Sequence, residues 1–123
     1  MILVLEDDPD IAEIVCEVLA MAGYAVTVVP SEAALRRHLA DDPVTLVLCD
    51  LRLGSHWDGL AMIPLTRCAR GRRLPVVAMS GAGDEALEMA AHAGASATLS
   101  KPFAPQVLVA LVTGLLAAQP EAL

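Results

Sequence analysis

Residues 46–50 read Leu46-Val47-Leu48-Cys49-Asp50, four apolar side chains in succession and then an acid. A strand with one wet face alternates apolar and polar residues, whereas a strand covered on both faces is apolar throughout. The stretch therefore predicts a buried strand in a parallel sheet that carries a carboxylate at its carboxyl end. The same pattern recurs along the chain. Strands are expected over 2–5, 25–29, 46–49, 76–79 and 96–99. The first leads into Glu6-Asp7-Asp8, the fourth into Ser80-Gly81-Ala82-Gly83, and the fifth into Ser100-Lys101-Pro102-Phe103.

Helical stretches fill the intervals. Asp8 reads as an N-cap with Pro9 as first helical residue of a helix over 9–22, which Gly23 ends. Ser31 caps a helix over 32–40, with Leu35 and Leu39 at i, i+4 spacing. The small, polar loop Gly54-Ser55-His56-Trp57-Asp58-Gly59 leads into a helix over 59–70. Asp84 caps a helix over 85–93, and the closing helix covers 104–118 with Pro105 in its first turn. Strands alternating with helices imply a doubly wound α/β fold with right-handed crossovers, and five strands suit the flavodoxin-like order 2-1-3-4-5. Residues 1–118 read as one domain and 119–123 as a loose tail.

With 123 residues, 56% apolar and 19% charged, the chain has enough apolar material for a full core. Aromatics are limited to Tyr24, Trp57 and Phe103, so that core is aliphatic. A net charge of −7 argues against a nucleic-acid binder, whose footprint is a basic face. The one basic cluster, Arg67 to Arg73, reads as a solvated helix end. Cys16, Cys49 and Cys68 lack metal or disulfide spacing, which suits reduced thiols in the cytoplasm, and Cys16 and Cys49 read as small core residues. His38, His56 and His92 read as surface residues. The apolar runs are too short to span a bilayer.

Lys101 is the only lysine of the chain. In the expected strand order, Glu6, Asp7, Asp50, Ser80 and Lys101 all lie at carboxyl ends of strands around the switch point, where such sheets bind ligands. Three carboxylates and one ammonium leave two negative charges uncompensated, and a divalent cation would cancel them. Magnesium suits oxygen ligands with only one or two direct carboxylates, and no His or Cys is present for zinc. One Asp50 oxygen would remain free as a nucleophile. Lys101 and Ser80 would stabilise the oxygens of a transferring phosphoryl group.

At these residues the chain resembles the receiver domains of two-component response regulators. The matching stretches are Ile2-Leu3-Val4-Leu5-Glu6-Asp7-Asp8-Pro9, Leu46-Val47-Leu48-Cys49-Asp50-Leu51-Arg52-Leu53, Val76-Val77-Ala78-Met79-Ser80-Gly81 and Ser100-Lys101-Pro102-Phe103. The resemblance implies a switch rather than a turnover enzyme. Asp50 would accept a phosphoryl group from a sensor histidine kinase or a histidine phosphotransfer protein. It also implies that Asp7 and Asp50 bind Mg2+ directly, Glu6 through water, and Arg52 by its backbone carbonyl. Ser80 would be the switch hydroxyl, Gly81 the small residue beside the phosphoryl group, and Lys101 its counter-charge. A cis Lys101-Pro102 bond is implied as well.

The chain departs from the family at Thr98, where Tyr or Phe is usual; a threonine has no large ring to swing inward. The loop after Asp50 has Gly54 where proline is common and is one residue longer than the commonest spacing. Two other functions compete. One is a receiver-like scaffold that takes no phosphate. The other is a small phosphatase of the haloacid-dehalogenase kind, which carries a second acid two residues after its nucleophile; here that position is Arg52. Mean hydropathy is high, at +0.60. The closing helix is apolar around much of its circumference, so a homodimer is expected through the helices over 85–93 and 104–118 and the strand between them. With no output domain recognised, output is expected through a partner or that self-association.

Overall fold

In the computed structural model residues 1–51, 62–64, 66, 74–81 and 84–118 are described. Among them five strands form one parallel sheet in the order β2-β1-β3-β4-β5. The strands are β1 (Ile2–Leu5), β2 (Val26–Val28), β3 (Leu46–Asp50), β4 (Val76–Ser80) and β5 (Ala97–Ser100). The helices are α1 (Pro9–Met21), α2 (Glu32–Asp41), α3 (Asp84–His92) and α4 (Pro105–Ala118). Residues 62–64 and 66 are also helical. The rest of the helix expected over 59–70, the loop with His56 and Trp57, Arg52, Cys68, Arg67 to Arg73, Ala82 and the tail 119–123 lie outside the described residues.

The central strands are buried along their whole length because each side chain has a helix layer to meet. Leu3, Leu5, Val47, Cys49, Val76 and Ala78 pack on one face with Leu35 and Leu39 of α2 and Ala90 of α3. Their alternate neighbours Ile2, Val4, Leu46, Leu48, Val77 and Met79 pack on the other with Val15 and Leu19 of α1 and Leu108 and Val112 of α4. Leu48 is fully buried in the central strand. Leu48→Ala is expected to lower the unfolding free energy by about 2–5 kcal/mol, out of a typical total of about 5–15 kcal/mol. The check is a fall in urea midpoint at unchanged slope. A loss under about 1 kcal/mol would contradict the packing, since that is the scale of exposed positions.

Local chemistry sets where the helices begin. Asp8 Oδ1 accepts from the backbone N–H groups of Asp10 at 2.9 Å and Ile11 at 3.4 Å, and Pro9 opens α1 without an N–H to satisfy. Such a cap contributes about 1 kcal/mol. Ser31 Oγ accepts from Ala34 N at 3.1 Å and starts α2 in the same way. Gly23 follows α1 with φ +96, a left-handed conformation that favours glycine.

Some expectations shift. The second strand is shorter than 25–29, although Val29 N still donates to Val4 O at 2.9 Å. The helix expected over 85–93 begins at Asp84 itself, and α4 begins at Pro105. Cys49 is a core residue, but Cys16 is only half-buried and belongs to neither core cluster. The outward turn of α1 places it beside a surface pocket instead. His38 is not an ordinary surface residue: its Nδ1 lies 2.6 Å from Asp42 Oδ2, four positions on. The closing helix is one-sided, with Leu108 and Val112 buried but Val107 half-exposed.

Candidate functional site

Parallel register decides which strand ends meet. Leu5 pairs with Cys49, Asp50 with Met79, and Ser80 with Ser100. Glu6 therefore leaves β1 next to the end of β3, and Lys101 leaves β5 next to the end of β4. Lys101 N donates to Ser80 O at 2.9 Å, and Leu51 N donates to Met79 O at 3.0 Å, so the backbone is tied at both turns. The Lys101-Pro102 bond is cis.

The side chains converge from there. Lys101 Nζ lies 2.5 Å from Glu6 Oε1 and 3.2 Å from Asp50 Oδ2. Glu6, Asp50 and Ser80 are the buried polar residues at these strand ends, at 5%, 5% and 2% exposure. Asp7 is exposed at the rim. Glu6, Asp7 and Asp50 can each offer a carboxylate oxygen, all within 4.8 Å of one another. Gly81 is open: among the described residues, a Cβ there would meet within 4 Å only the Lys101 Cβ, at 3.8 Å. Thr98 pairs with Ala78 on the sheet edge and is exposed. Asp8 is used as the cap of α1, and Arg52 lies outside the described residues.

The electrostatics follow from crowding. Burial, together with hydrogen bonding and charge from Asp50, raises the Glu6 pKa from 4.5 to about 7 against the opposing pull of Lys101. Burial alone would lower the Lys101 pKa, but the hydrogen bond to Glu6 and the charge of Asp50 outweigh it and raise it. A proton on Glu6 is thus one way to discharge the cluster at neutral pH, and a cation is another. The donor set fits a hard divalent cation. It is all carboxylate oxygen, and Glu6 Oε2 is buried without a hydrogen-bond partner among the described residues.

The direct Glu6–Lys101 pair was not legible in the sequence, because a contact across 95 positions depends on side-chain reach as well as register. The His38–Asp42 pair had a signal in its i, i+4 spacing. Cys16 had none. Its thiol pKa is raised by burial, and it lines a pocket that Glu6 and Asp7 share.

Comparison with known proteins agrees with this arrangement. A family model for the response regulator receiver domain matches residues 2–113. The transcriptional regulatory protein GltR of Pseudomonas aeruginosa is 31% identical over 117 residues, which is 94% of this chain and 48% of GltR. The phosphate regulon transcriptional regulatory protein PhoB of Klebsiella pneumoniae is 34% identical over 90% of this chain and 49% of its own length. The chain thus spans about half the length of these curated relatives. Among solved structures, the receiver domain of NtrX from Brucella abortus superposes with a TM-score of 0.88 at 28% identity, over 97% of this chain and all of that one. This agreement leaves the phosphatase reading without support. With the family model spanning nearly the whole chain, the protein belongs to the response regulator receiver domain family of two-component systems.

Proposed function

We propose that residues 1–118 form a phosphoryl-accepting switch in which Asp50 takes a phosphoryl group from a phosphohistidine donor. Receiver domains of response regulators interact with histidine kinases and are not turnover enzymes, which agrees with this reading. The observation that carries it is the placement of Asp50 3.2 Å from Lys101 and within ligand reach of Glu6 and Asp7. An Asp50 oxygen would attack phosphorus while the nitrogen–phosphorus bond to the donor imidazole breaks. The imidazole leaves with the electron pair, and Asp50 becomes an acyl phosphate.

The chain's own groups have defined parts. Lys101, now shared between Glu6 and Asp50, would turn its ammonium to a phosphoryl oxygen. The Ser80 hydroxyl, buried at the adjacent strand end, would donate to another, and Gly81 leaves room for the group. Asp7 and Asp50 would hold a magnesium ion directly and Glu6 through water, with the Arg52 carbonyl completing the set. When bound, magnesium supplies neutralising charge for the Asp50 carboxylate and the phosphoryl oxygens. Thr98 has no ring to turn inward, so output here would run through the Ser80 and Lys101 turns.

The donor would land on an apolar groove of about 300 Å3 that opens beside Lys101, lined by Ile11, Ile14, Val15, Pro102 and Phe103. Ile14 is half-exposed there. A cytoplasmic location goes with this reading, and no helix among the described residues is long and apolar enough to cross a membrane. The net charge of −7 disfavours direct nucleic-acid binding. Self-association would use the face of α3, β5 and α4. α4 has no charged residue, so a second acidic copy meets no like charge along it. Sedimentation is expected to show a dimer in the presence of beryllofluoride and magnesium. A monomer at high concentration, with and without the mimic, would exclude that route.

The decisive test of function is incubation with acetyl phosphate, with and without magnesium, on the wild type and on Asp50→Asn. Absence of labelling in both proteins would favour the scaffold reading.

A further inference from the structure

On one side the sheet ends at β2, and pairing with β1 fixes which way the groups of this edge point. Ile2 N donates to Ala25 O at 2.8 Å and Val29 N to Val4 O at 2.9 Å, with Ile2 opposite Val26 and Val4 opposite Val28. In a parallel ladder this turns the backbone groups of Thr27 toward β1 and the N–H and C=O groups of Val26 and Val28 away from it. Among the described residues those outward groups have no backbone partner. The Val28 side chain is also 41% exposed. Edge strands are usually protected by charged residues, proline or a bulge. Ala25-Val26-Thr27-Val28-Val29 has neither charge nor proline, and every residue after Ala25 is β-branched.

We infer that β2 pairs antiparallel with β2 of a second copy of this chain, across a two-fold axis at Thr27. Only one register satisfies the edge. With Thr27 opposite its copy, Val26 and Val28 of each chain exchange N–H and C=O bonds with Val28 and Val26 of the other, and every outward group is used. Centred on Val26, the ladder would need the Tyr24 N–H, which already donates to Leu19 O at 3.1 Å. Centred on Val28, it would need an N–H from Pro30, which has none. The exposed Val28 then lies beside Val26 of the copy, on the face where Val26 packs against the core. A lone peptide strand would cover this edge but present a fresh edge of its own, whereas the two-fold copy closes both at once. β2 lies at the opposite end of the sheet from β5, so this pairing depends neither on phosphoryl transfer to Asp50 nor on self-association through α3, β5 and α4.

The test is disulfide crosslinking of the full chain in a Cys16→Ser, Cys68→Ser background, where Cys49 is buried. In Thr27→Cys the new thiol faces its copy as a non-hydrogen-bonded pair, at a Cα separation of about 4.5 Å that a disulfide can span. In Val28→Cys it stands one step from the axis on each strand, about 8 Å from its copy, beyond that span. Under mild oxidation Thr27→Cys is expected to give the linked dimer at least about tenfold faster than Val28→Cys. Random collision would give the reverse order, because residue 28 is exposed and residue 27 half-buried. Val28→Lys should slow the Thr27→Cys reaction at least about tenfold by charging the edge. Salt should speed it, since each copy carries a net charge of −7. Equal rates, a faster Val28→Cys, or a Thr27→Cys rate indifferent to Val28→Lys would overturn the inference. Asp50→Asn should keep the order of rates. Labelling of Asp50 without this order removes the β2 pairing alone, and the order without labelling removes the phosphoacceptor reading alone.

Discussion

Asp50→Asn is expected to reduce magnesium-dependent labelling by acetyl phosphate to background, a loss of at least about 100-fold, because a neutral amide is not a nucleophile toward phosphorus. The substitution keeps the shape of a residue that is 5% exposed at the end of β3, so the packing of the sheet is undisturbed. Lys101 retains its 2.5 Å partner Glu6. The fold should therefore survive, and the direction of any stability change follows from Glu6. Its folded pKa is raised from 4.5 to about 7, with Asp50 among the causes. A carboxyl group whose pKa is raised on folding contributes stability at low pH that is lost as pH rises through the folded value. Removing the Asp50 charge lessens that loss. In EDTA at pH 8 the variant should melt at or above the wild-type temperature, with the difference fading toward pH 4.5. Undiminished labelling of Asp50→Asn would place the acceptor elsewhere. A large fall in melting temperature would mean that Asp50 is held for structure.

Lys101→Met should lower the labelling rate by about 100-fold while leaving Asp50 able to react, since removing one preplaced charge from a developing phosphoryl anion typically costs that much. The two variants thus differ in kind, one without a nucleophile and one without its stabiliser. Methionine preserves most of the side-chain volume and cannot pair with Glu6 or Asp50. Breaking a buried pair from one side costs about 3–5 kcal/mol when the remaining charge stays ionised. Here the cost is limited, because Glu6 can take up a proton instead. The destabilisation should therefore be larger at pH 8 than at pH 6 in EDTA. Magnesium, supplied at saturation, should restore part of it. A variant equal to wild type in labelling and in pH-dependent stability would show that the Lys101 contacts at 2.5 Å and 3.2 Å serve neither purpose.

The residues changed in these two variants are both conspicuous in the sequence, and others of the site are less so. Asp50 follows four apolar residues in a buried strand, and a carboxylate at such an edge stands out from its surroundings. Lys101 is the only lysine of the chain and precedes a proline, so composition alone sets it apart. Ser80 is legible only by position, since serine is common in turns. Cys16 departs from its sequence pattern. Its apolar neighbours in the chain suggest a core residue, but a helix of period 3.6 turns it to the edge of the buried stripe, beside the pocket under Val28 and Pro30. The ends of α1 and α2 are readable to within a residue because Asp8, Ser31 and Gly23 act through bonds or dihedrals spanning a few positions.

The amino-acid sequence by itself determined the elements, the strand order to expect and the set of polar residues at the strand ends. Those follow from apolar periodicity, caps and turns, which are local. Only the tertiary structure decided that one oxygen of Glu6 is held by Lys101 while the other is buried without a partner among the described residues, and that Thr98 lies exposed at the sheet edge. The physical reason is register. Parallel pairing of Leu5 with Cys49 and of Ser80 with Ser100 brings together groups 95 positions apart, and which oxygen meets which nitrogen depends on side-chain reach and burial that no local pattern encodes.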